Sequence, residues 1–331
     1  MKILITGGAG FIGSHLVKYF VRNYPDYVIV NLDSLTYAGH RSNLSEIEFF
    51  PNYRFEEGDI RDTEFVKSLF KNEKFTSVIH LAAESHVDNS INNPLIFAET
   101  NILGTMNLLD SFREVYDKEN INSFFFHVST DEVYGSLEND DTLFNENSQI
   151  QPNSPYSASK ASSDLFVKAY HATYKIPYIV TNCSNNYGPN QYPEKLIPLF
   201  ISKALKNQDL PVYGDGKNIR DWLFVDDHIS AIDTIFHSNC RNETFNIGGN
   251  AEFTNVELIE KLCALIDFKL GRNTGETRRL ITYVKDRAGH DRRYAIDSTK
   301  LTKKLNWKPK VSINEGLDRT VDWYLTHFNQ D

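Results

Sequence analysis

The sequence predicts an α/β fold, in which a doubly wound parallel sheet is followed by a smaller, mixed domain. Short β-type runs alternate with helical patterns through the first 181 of its 331 residues, and a loop of four glycines follows the first run directly. The runs lie at residues 2–6, 27–32, 53–57, 77–81, 123–128 and 177–181. Most of them are nearly continuous in apolar residues, as expected of strands that helices cover on both faces.

The glycine loop, GGAGFIG at 7–13, stands between the first strand and a predicted helix. Gly8, Gly10 and Gly13 have the G-x-G-x-x-G spacing, which lets the backbone turn tightly and approach a pyrophosphate at a helix amino terminus. Alone, the pattern could mark a tight turn. However, Asp33 ends the second strand, 20 residues after Gly13, where a carboxylate accepts a ribose 2′-OH and repels a 2′-phosphate. The sequence therefore predicts a Rossmann domain that binds NAD in preference to NADP.

The domain organisation follows from where this pattern weakens. Beyond residue 181, loops rich in Asn, Gly and Pro take over, as in NNYGP at 185–189. We expect an NAD-binding domain over residues 1–181, completed by a return segment near 220–240. Residues 182–331 then form a smaller C-terminal domain that binds the substrate.

The composition excludes several classes of function. The net charge of -9 does not favour nucleic acid or an anionic membrane as a partner, because both bind basic faces. Cys183, Cys240 and Cys263 form no C-x-x-C pair, so reduced thiols in a cytoplasmic protein are expected. No leader segment or apolar run of membrane-spanning length is visible, and the histidines lack metal-ligand spacing. We therefore expect a cytoplasmic protein without a metal site.

A tyrosine–lysine pair suggests redox chemistry. Tyr156 and Lys160 lie at i and i+4, on one face of a helix predicted to start after Pro152 and Pro155. A lysine cation, together with the positive ring of an oxidised nicotinamide, would stabilise a phenolate, so that Tyr156 could accept a proton from a substrate hydroxyl. This spacing usually marks a solvated helix face. After a complete dinucleotide pattern, it indicates a dehydrogenase pair.

These residues resemble the extended short-chain dehydrogenase/reductase superfamily, and longer matches narrow the resemblance to the nucleotide-sugar 4,6-dehydratases. It covers nearly the whole chain. The matching stretches are TGGAGFIGS at 6–14, LAAESHVD at 81–88, VSTDEVYGS at 128–136, PNSPYSASKASSD at 152–164, CSNNYGPNQYPEKLIPL at 183–199, YGDGKNIRDW at 213–222, FNIGGN at 245–250 and DRAGHDRRYAID at 286–297. The resemblance implies an NAD-dependent enzyme that acts on dTDP-glucose. It also implies a homodimer, with the helix of Tyr156 and Lys160 at its interface.

Two adjacent carboxylates follow the strand predicted at 123–128, at the sheet edge where such folds bind ligands. An Asp-Glu pair usually caps a helix or is solvated in a turn. Here the implied reaction needs both groups: oxidation of the hexose at C4 acidifies H5, a base removes it, and an acid protonates the departing C6 oxygen. The resemblance assigns Asp131 as the acid and Glu132 as the base, with Thr130 beside Tyr156 at the C4 oxygen.

A basic segment is expected to contribute to phosphate binding. Seven basic residues against three acidic ones lie between Arg272 and Arg293, and guanidinium groups suit phosphate oxygens. Arg278 and Arg279 are expected to be merely solvated. The resemblance implies the substrate contacts Ser85, Thr130, Asn185, Asn186, Lys195, Leu196, Arg220, Asn255, Arg287, His290 and Tyr294. It implies, together with the glycine loop, the cofactor contacts Gly7, Gly10, Phe11, Ile12, Gly13, Asp33, Asp59, Ile60, Ala82, Tyr156 and Lys160.

Some alternatives stay open. Asn89 and Asn182 stand where arginine is more usual in this family, so nucleotide preference or dimer contacts could differ. A UDP-glucose 4,6-dehydratase is the nearest alternative. An epimerase or decarboxylase of the same superfamily would keep the tyrosine–lysine pair but would not need Asp131 and Glu132. A non-catalytic NAD-binding sensor typically loses the tyrosine or the lysine, and this chain has both.

Overall fold

The fold is described from a computed structural model, which covers residues 1–138, 140–287 and 289–327. The strands are β1 (Lys2–Thr6), β2 (Val28–Asp33), β3 (Tyr53–Glu57), β4 (Ser77–His80), β5 (Phe125–Thr130), β6 (Tyr178–Cys183), β7 (Asn185–Tyr187), β8 (Leu210–Tyr213), β9 (Ile219–Phe224), β10 (Glu243–Ile247), β11 (Glu252–Thr254) and β12 (Ile281–Val284). The α-helices are α1 (Phe11–Asn23), α2 (Thr63–Glu73), α3 (Val87–Asn92), α4 (Pro94–Phe97), α5 (Thr105–Val115), α6 (Pro155–Tyr174), α7 (Leu196–Leu205), α8 (Val225–Phe236), α9 (Asn255–Leu270), α10 (Thr299–Leu305) and α11 (Ile313–His327). A π-helical turn spans Ala98–Gly104, and 3₁₀ turns span Arg41–Ile47, Asp131–Tyr134 and Thr277–Leu280.

The largest element is a parallel sheet of seven strands in the order β10-β6-β5-β4-β1-β2-β3. The chain winds outward from β1 to β2 and β3, and then crosses to β4 on the other side of β1. This reversal is the point at which ligands bind in doubly wound sheets. The predicted α/β fold is confirmed.

Helices cover both faces of this sheet. Along β1, Ile3 and Ile5 face the layer of α1 and α8, whereas Leu4 faces the layer of α2, α5 and α6. All three side chains are fully buried. Each such residue contributes roughly 1.5–3 kcal/mol through burial, which explains why the strands are apolar on both sides.

The chain leaves the large sheet after β6 and later returns to it. β10 pairs with β6, while α8, Leu301 of α10 and Trp307 pack into the same apolar core as α1. We call the seven-stranded sheet and the helices packed on it the large lobe. The remaining strands form sheets in the orders β11-β9-β7 and β12-β8, and a separate apolar core packs them with α7, α9 and α11. We call this part the small lobe. The division into domains at residue 181 stays a prediction.

The strand before the two carboxylates lies two residues further along than predicted. The sequence favours residues 123–128, but β5 runs from Phe125 to Thr130 because its ladder with β6 continues to the pair Thr130 and Cys183. Thr130 is therefore fixed by strand pairing. The 3₁₀ turn of Asp131 and Glu132 begins directly at the sheet edge.

Within residues 1–138, 140–287 and 289–327, no helix combines the length and the apolar character that crossing a membrane requires.

The glycine loop generates a prediction about stability. A Cβ on Gly13 would lie 2.0 Å from the carbonyl oxygen of Gly7 and 2.7 Å from Cα of Gly8, and neither backbone atom can move easily. We expect Gly13→Ala to lower the free energy of unfolding by about 2–3 kcal/mol, as overpacking does. Urea unfolding of the nucleotide-free protein would measure it.

Gly10→Ala is the matched control in the same loop. Its Cβ would meet nothing closer than 3.4 Å, so we expect a change within about 0.5 kcal/mol. Equal losses for the two variants would contradict the packing argument.

Candidate functional site

A long cavity opens at the carboxyl ends of the large sheet and extends under the small lobe. Its wall brings together most of the residues that the sequence singles out. These are Gly7, Gly10, Phe11, Ile12, Gly13, Asp33, Asp59, Ile60, Ala82, Ser85, Thr130, Asp131, Glu132, Tyr156, Lys160, Asn185, Asn186 and Lys195.

The glycine loop forms the floor of one end of the cavity. Gly7 has φ +73°, and a Cβ there would lie 2.6 Å from the amide nitrogen of Ala82. Gly10 is the N-cap of α1 and offers no side chain to its first amides, which are therefore available to an anion. The loop and helix thus form a cradle that fits a pyrophosphate.

Asp33 lies at the end of β2, where the sequence predicts the ribose acceptor. Its carboxylate accepts hydrogen bonds from the amides of Ala9 (2.8 Å) and Leu35 (2.9 Å). Burial raises the pKa of Asp33, while those two amides act to lower it. Further along the wall, Asp59 is held by Arg61 at 2.6 Å, and hydrogen bonds from Arg61 lower the pKa of Asp59. This end fits an adenosine and its diphosphate.

Several residues of the cavity wall were not predicted from the sequence. Many of them adjoin predicted ones at strand ends, so the rule that ligands bind at carboxyl ends could have found them. Others come from the small-lobe loop after β7, which lies within the matching stretch at 183–199, or from the π-helical turn, which no local pattern marks. The missed residues include Leu32, Ser34, Arg61, Leu81, Ala83, Glu84, Thr100, Cys183, Ser184, Gln191, Tyr192 and Glu194.

The 3₁₀ turn of Asp131 and Glu132 is held by Thr130. Its hydroxyl accepts the amide of Glu132 at 3.3 Å, which caps the 3₁₀ turn, and lies 3.3 Å from Oδ1 of Asp131. The turn ends at Gly135, where φ is +87° and a Cβ would lie 2.3 Å from the carbonyl oxygen of Gln151. Within the described part of the chain, Oδ2 of Asp131 is buried without a hydrogen-bond partner. That oxygen is therefore available to a substrate.

The two adjacent carboxyl groups have different surroundings. Burial raises the pKa of Asp131 well above its usual value, and the charges of Glu132 and Asp221 raise it further. Burial also raises the pKa of Glu132, but Lys195, Arg220 and other cations oppose this effect. The pKa of both carboxyl groups is raised, that of Asp131 well above its usual value, and Glu132 has more cations acting on it than Asp131. The pair has the asymmetry that a division into acid and base requires.

Tyr156 and Lys160 lie in the first turns of α6, which starts with Pro155 and a Ser154 capping box. Lys160 Nζ donates to the carbonyl oxygen of Val128 at 2.9 Å. In the chain alone, burial raises the pKa of the Tyr156 phenol, and Glu132 raises it further. This direction is opposite to the one predicted from the Tyr156–Lys160 spacing. The chain's own groups hold the phenol neutral.

A cluster of cations and one aromatic ring surrounds Glu132 on the small-lobe side. The guanidinium carbon of Arg220 lies 4.1 Å from the ring centroid of Tyr294, and Arg220 donates to the carbonyl oxygen of Asp291 at 3.0 Å. Lys195 Nζ donates to the carbonyl oxygen of Ser85 at 2.8 Å. Lys195 lines the cavity, whereas Arg220 is buried outside its wall and acts on Glu132 through its charge. The other predicted substrate contacts that are not part of the cavity wall are Leu196, Asn255, Arg287, His290 and Tyr294.

Other predicted substrate contacts lie around this cluster with protein partners of their own. Arg287 Nη1 is 3.5 Å from Asp88, and His290 Nδ1 is 2.6 Å from Asp286. The Asn186 side chain contacts Ser184 and His228. Leu196 begins α7, and Asn255 begins α9. Of the arginine doublet, Arg278 pairs with Glu260 at an exposed position, as expected of a solvated residue.

The two departures from the family pattern differ in environment. Asn89 is exposed on the short helix α3. Asn182 is buried on β6, and its amide group donates to the carbonyl oxygen of Thr130 and to Asp164. Among the residues that the structure describes, no group of three or more His, Cys, Asp or Glu side chains could hold a metal ion.

Comparisons with known proteins agree with this geometry. The model of the GDP-mannose 4,6 dehydratase family matches residues 4–320. The dTDP-glucose 4,6-dehydratase of Neisseria meningitidis is 50% identical over 331 residues, which cover 98% of this chain and 93% of that protein.

Two crystal structures of dTDP-glucose 4,6-dehydratases have the same fold. That from Streptomyces venezuelae, with NAD bound, has a TM-score of 0.90 and 43% identity, covering 100% of this chain and 98% of that one. That from Bacillus anthracis, also in complex with NAD, has a TM-score of 0.87 and 45% identity, covering 99% and 98%. The chain therefore belongs to the nucleotide-sugar 4,6-dehydratases, and within them to the dTDP-glucose 4,6-dehydratase family.

Proposed function

We propose that this protein is an NAD-dependent hydro-lyase that converts dTDP-glucose to dTDP-4-keto-6-deoxyglucose. The observation that carries the proposal is the pair Asp131 and Glu132, which shares one cavity with Tyr156 and the glycine loop. The opposing surroundings of the two carboxyl groups match the acid and base of a water elimination. An enzyme that only oxidised or reduced its substrate would need the tyrosine, the lysine and the dinucleotide, but not the two carboxyl groups.

NAD fits the cradle, and its residues are the glycine loop, Asp33, Asp59, Ile60 and Ala82. When bound, NAD takes two electrons from C4 of the sugar and returns them at C6. The carboxylate of Asp33 would accept the ribose hydroxyls and would repel a 2′-phosphate, which favours NAD over NADP. Because the reaction has no net redox change, the cofactor is expected to stay bound between turnovers.

Oxidation at C4 needs a base for the hydroxyl proton. Tyr156 takes this role, with the Thr130 hydroxyl placed to hydrogen-bond the same oxygen. The positive ring of the oxidised nicotinamide would add to Lys160 in favouring the phenolate, and so would offset the effect of burial on the pKa of Tyr156. The ketone formed at C4 makes H5 acidic.

Elimination then uses the two carboxyl groups. Glu132, as a carboxylate among cations, accepts H5, while the protonated Asp131 donates its proton to the departing C6 oxygen. One water leaves. Glu132, whose proton exchanges with solvent, returns a proton to C5 when C6 is reduced. Tyr156 releases the proton of the C4 hydroxyl to solvent and Asp131 takes one up, so the sugar loses H₂O and all three groups are ready for the next cycle. Arg220, Arg287 and Lys195 hold the nucleotide diphosphate in this proposal.

The protein is proposed to act as a homodimer. Several apolar side chains are exposed on the helical face formed by α4, the π-helical turn and α6, which we call the α6 face. They are Leu95 (71% exposed), Leu103 (53%), Leu165 (54%) and Tyr174 (41%). A second copy of the chain would bury them, because large apolar patches on a protein surface usually mark an interface. The net charge and three unpaired cysteines support a cytoplasmic location without a nucleic-acid partner.

The proposed reaction predicts a mass change without added cofactor. Purified enzyme, incubated with dTDP-glucose and UDP-glucose in parallel and without added NAD, should remove one water from the thymidine compound, as followed by mass spectrometry. The reason is that NAD is retained and regenerated. Equal or better turnover of UDP-glucose would favour the uridine alternative, and no water loss from either, even with NAD supplied, would contradict the proposal.

Glu132→Gln should stop removal of H5 without weakening binding of the substrate. We expect kcat to fall by about 10²–10⁴-fold, the usual contribution of a general base, while KM changes little. Incorporation of deuterium from solvent at C5 should be lost to the same extent. Glu146→Gln is the control, since its half-buried carboxylate only accepts the amide of Asn246. Similar losses in both variants would contradict the assignment.

Dimer formation is tested by placing charges on the α6 face. Leu103→Lys combined with Leu165→Lys should shift the protein from dimer to monomer in analytical ultracentrifugation, because burying two unpaired ammonium groups is unfavourable. Phe268→Lys provides the control, as that side chain is 82% exposed on α9 in the other lobe. A wild-type monomer, or a dimer that persists in the double variant, would overturn this interface.

A further inference from the structure

A buried polar cluster lies behind the wall of the active-site cavity. Its centre is Asp164, which is one helical turn after Lys160 on α6 and only 2% exposed. Nε2 of His127, on β5, is 3.3 Å from Oδ1 of Asp164. The side-chain amide of Asn182, on β6, donates to Oδ2 of Asp164 at 3.2 Å. One carboxylate thus connects a helix with two strands of the large sheet.

The same cluster holds the end of β5, from which the turn of Asp131 and Glu132 starts. Asn182 Nδ2 also donates to the carbonyl oxygen of Thr130 at 3.1 Å, and Lys160 Nζ donates to that of Val128 at 2.9 Å. These two carbonyl groups lie on either side of Ser129, directly before Asp131. Movement of Asp164 would therefore reach the end of β5 through Asn182 and the α6 turn that carries Lys160.

The charge of Asp164 is not neutralised by His127. Burial, together with the charge of Lys160, lowers the pKa of His127 to about 4, so the imidazole is neutral near pH 7. Burial lowers the pKa of Lys160 as well, and Asp164 is the foremost group opposing that effect. An isolated buried carboxylate is unfavourable unless a cation compensates it. The ammonium of Lys160 is the cation available here.

We propose that Asp164 is a positioning residue of this active site, which fixes the end of β5 through Asn182 and provides the buried negative charge that accompanies Lys160. The proposal rests on the dehydratase function proposed above and adds a residue outside the cavity wall to it. An amide at this position could keep the hydrogen bond from Asn182 but not the charge. The carboxylate is therefore needed to favour the protonated form of Lys160, which in turn favours the phenolate of Tyr156.

The charged and titratable groups around Lys160 come from four elements. Asp164 is on α6, Cys183 on β6, His127 on β5 and His80 on β4. Burial raises the pKa of Cys183 to about 12, and burial lowers the pKa of both histidines. All three are neutral near pH 7, which leaves Asp164 as the member of this set that bears charge.

The test uses Asp164→Asn in the full-length enzyme. The pKa of Lys160 is measured from the ¹³Cε shift of labelled lysine, with the signal assigned through Lys160→Met. We expect that pKa to fall by about one unit or more, because an opposite charge typically contributes that much. We also expect the alkaline limb of the kcat–pH profile to move to lower pH by about the same amount, with KM changed much less, because the proposal requires protonated Lys160 for catalysis.

Two further variants separate positioning from simple stability. The double variant Asp164→Asn/Asn182→Asp moves the negative charge from residue 164 to its hydrogen-bond partner at 182. It should reverse most of the fall in the pKa of Lys160 and part of the shift of the kcat–pH profile. Asp267→Asn removes another buried carboxylate, which accepts the amides of Gly275 and Thr277 in the small lobe. It should lower the melting temperature while leaving kcat and the titration of Lys160 unchanged.

The outcomes are distinct. An unchanged pKa of Lys160 in Asp164→Asn would overturn the inference. So would a variant that, like Asp267→Asn, has a lower melting temperature but the wild-type kcat and titration of Lys160. If Asp164→Asn does not fold but the double variant folds without recovering the pKa of Lys160, the inference also fails. Because the titration needs no substrate, a wild-type enzyme inactive on dTDP-glucose would refute the proposed function but not the role of Asp164.

Discussion

Parallel pairing of β1, β4, β5 and β6 is the constraint on which the site depends. The register places Thr6 beside His80 and Thr130 beside Cys183, so these strands end at one edge of the sheet. Parallel strands share one direction, and each therefore delivers the residues that follow it to the same edge. A dinucleotide loop, an acid–base pair and a substrate loop, which are far apart in the chain, meet there without any long-range pairing of their own.

Exclusion of water gives these groups their chemical character. A carboxyl group next to another carboxyl group in a buried turn favours the neutral form, and nearby cations reverse that preference. Burial raises the pKa of both groups, and the charges of Glu132 and Asp221 raise that of Asp131 further, while Lys195, Arg220 and Arg287 oppose the rise for Glu132. The cations come from the small lobe, whereas the turn belongs to the large one. Contact between the lobes therefore gives the two carboxyl groups different surroundings, on which the proposed division into acid and base depends.

The sequence predicted the sheet, the glycine loop and the place of the residues proposed as catalytic, because short patterns at strand ends carry them. Thr130, Asp131 and Glu132 line one wall with Tyr156 and Lys160, as expected. The direction of the Tyr156 pKa could not be predicted, because it depends on burial and on carboxylates that only the fold brings near. Thr100 was missed because only tertiary packing brings the π-helical turn to the cavity. Asn182 was noted only as a departure from the family pattern, although its side-chain amide donates a hydrogen bond to the backbone at the end of β5.

The return of the chain to the large sheet has a consequence for synthesis on the ribosome. β6 ends at residue 183, but its outer neighbour β10 begins at 243, and Trp307 completes the core beneath both. Until these segments emerge, the nascent chain carries β6 as an open, apolar edge, the kind of edge that pairs with other chains. The order of the polypeptide thus leaves the N-terminal half with an unpaired strand until the C-terminal third has been synthesised, so that this third completes the large sheet as well as forming the small lobe.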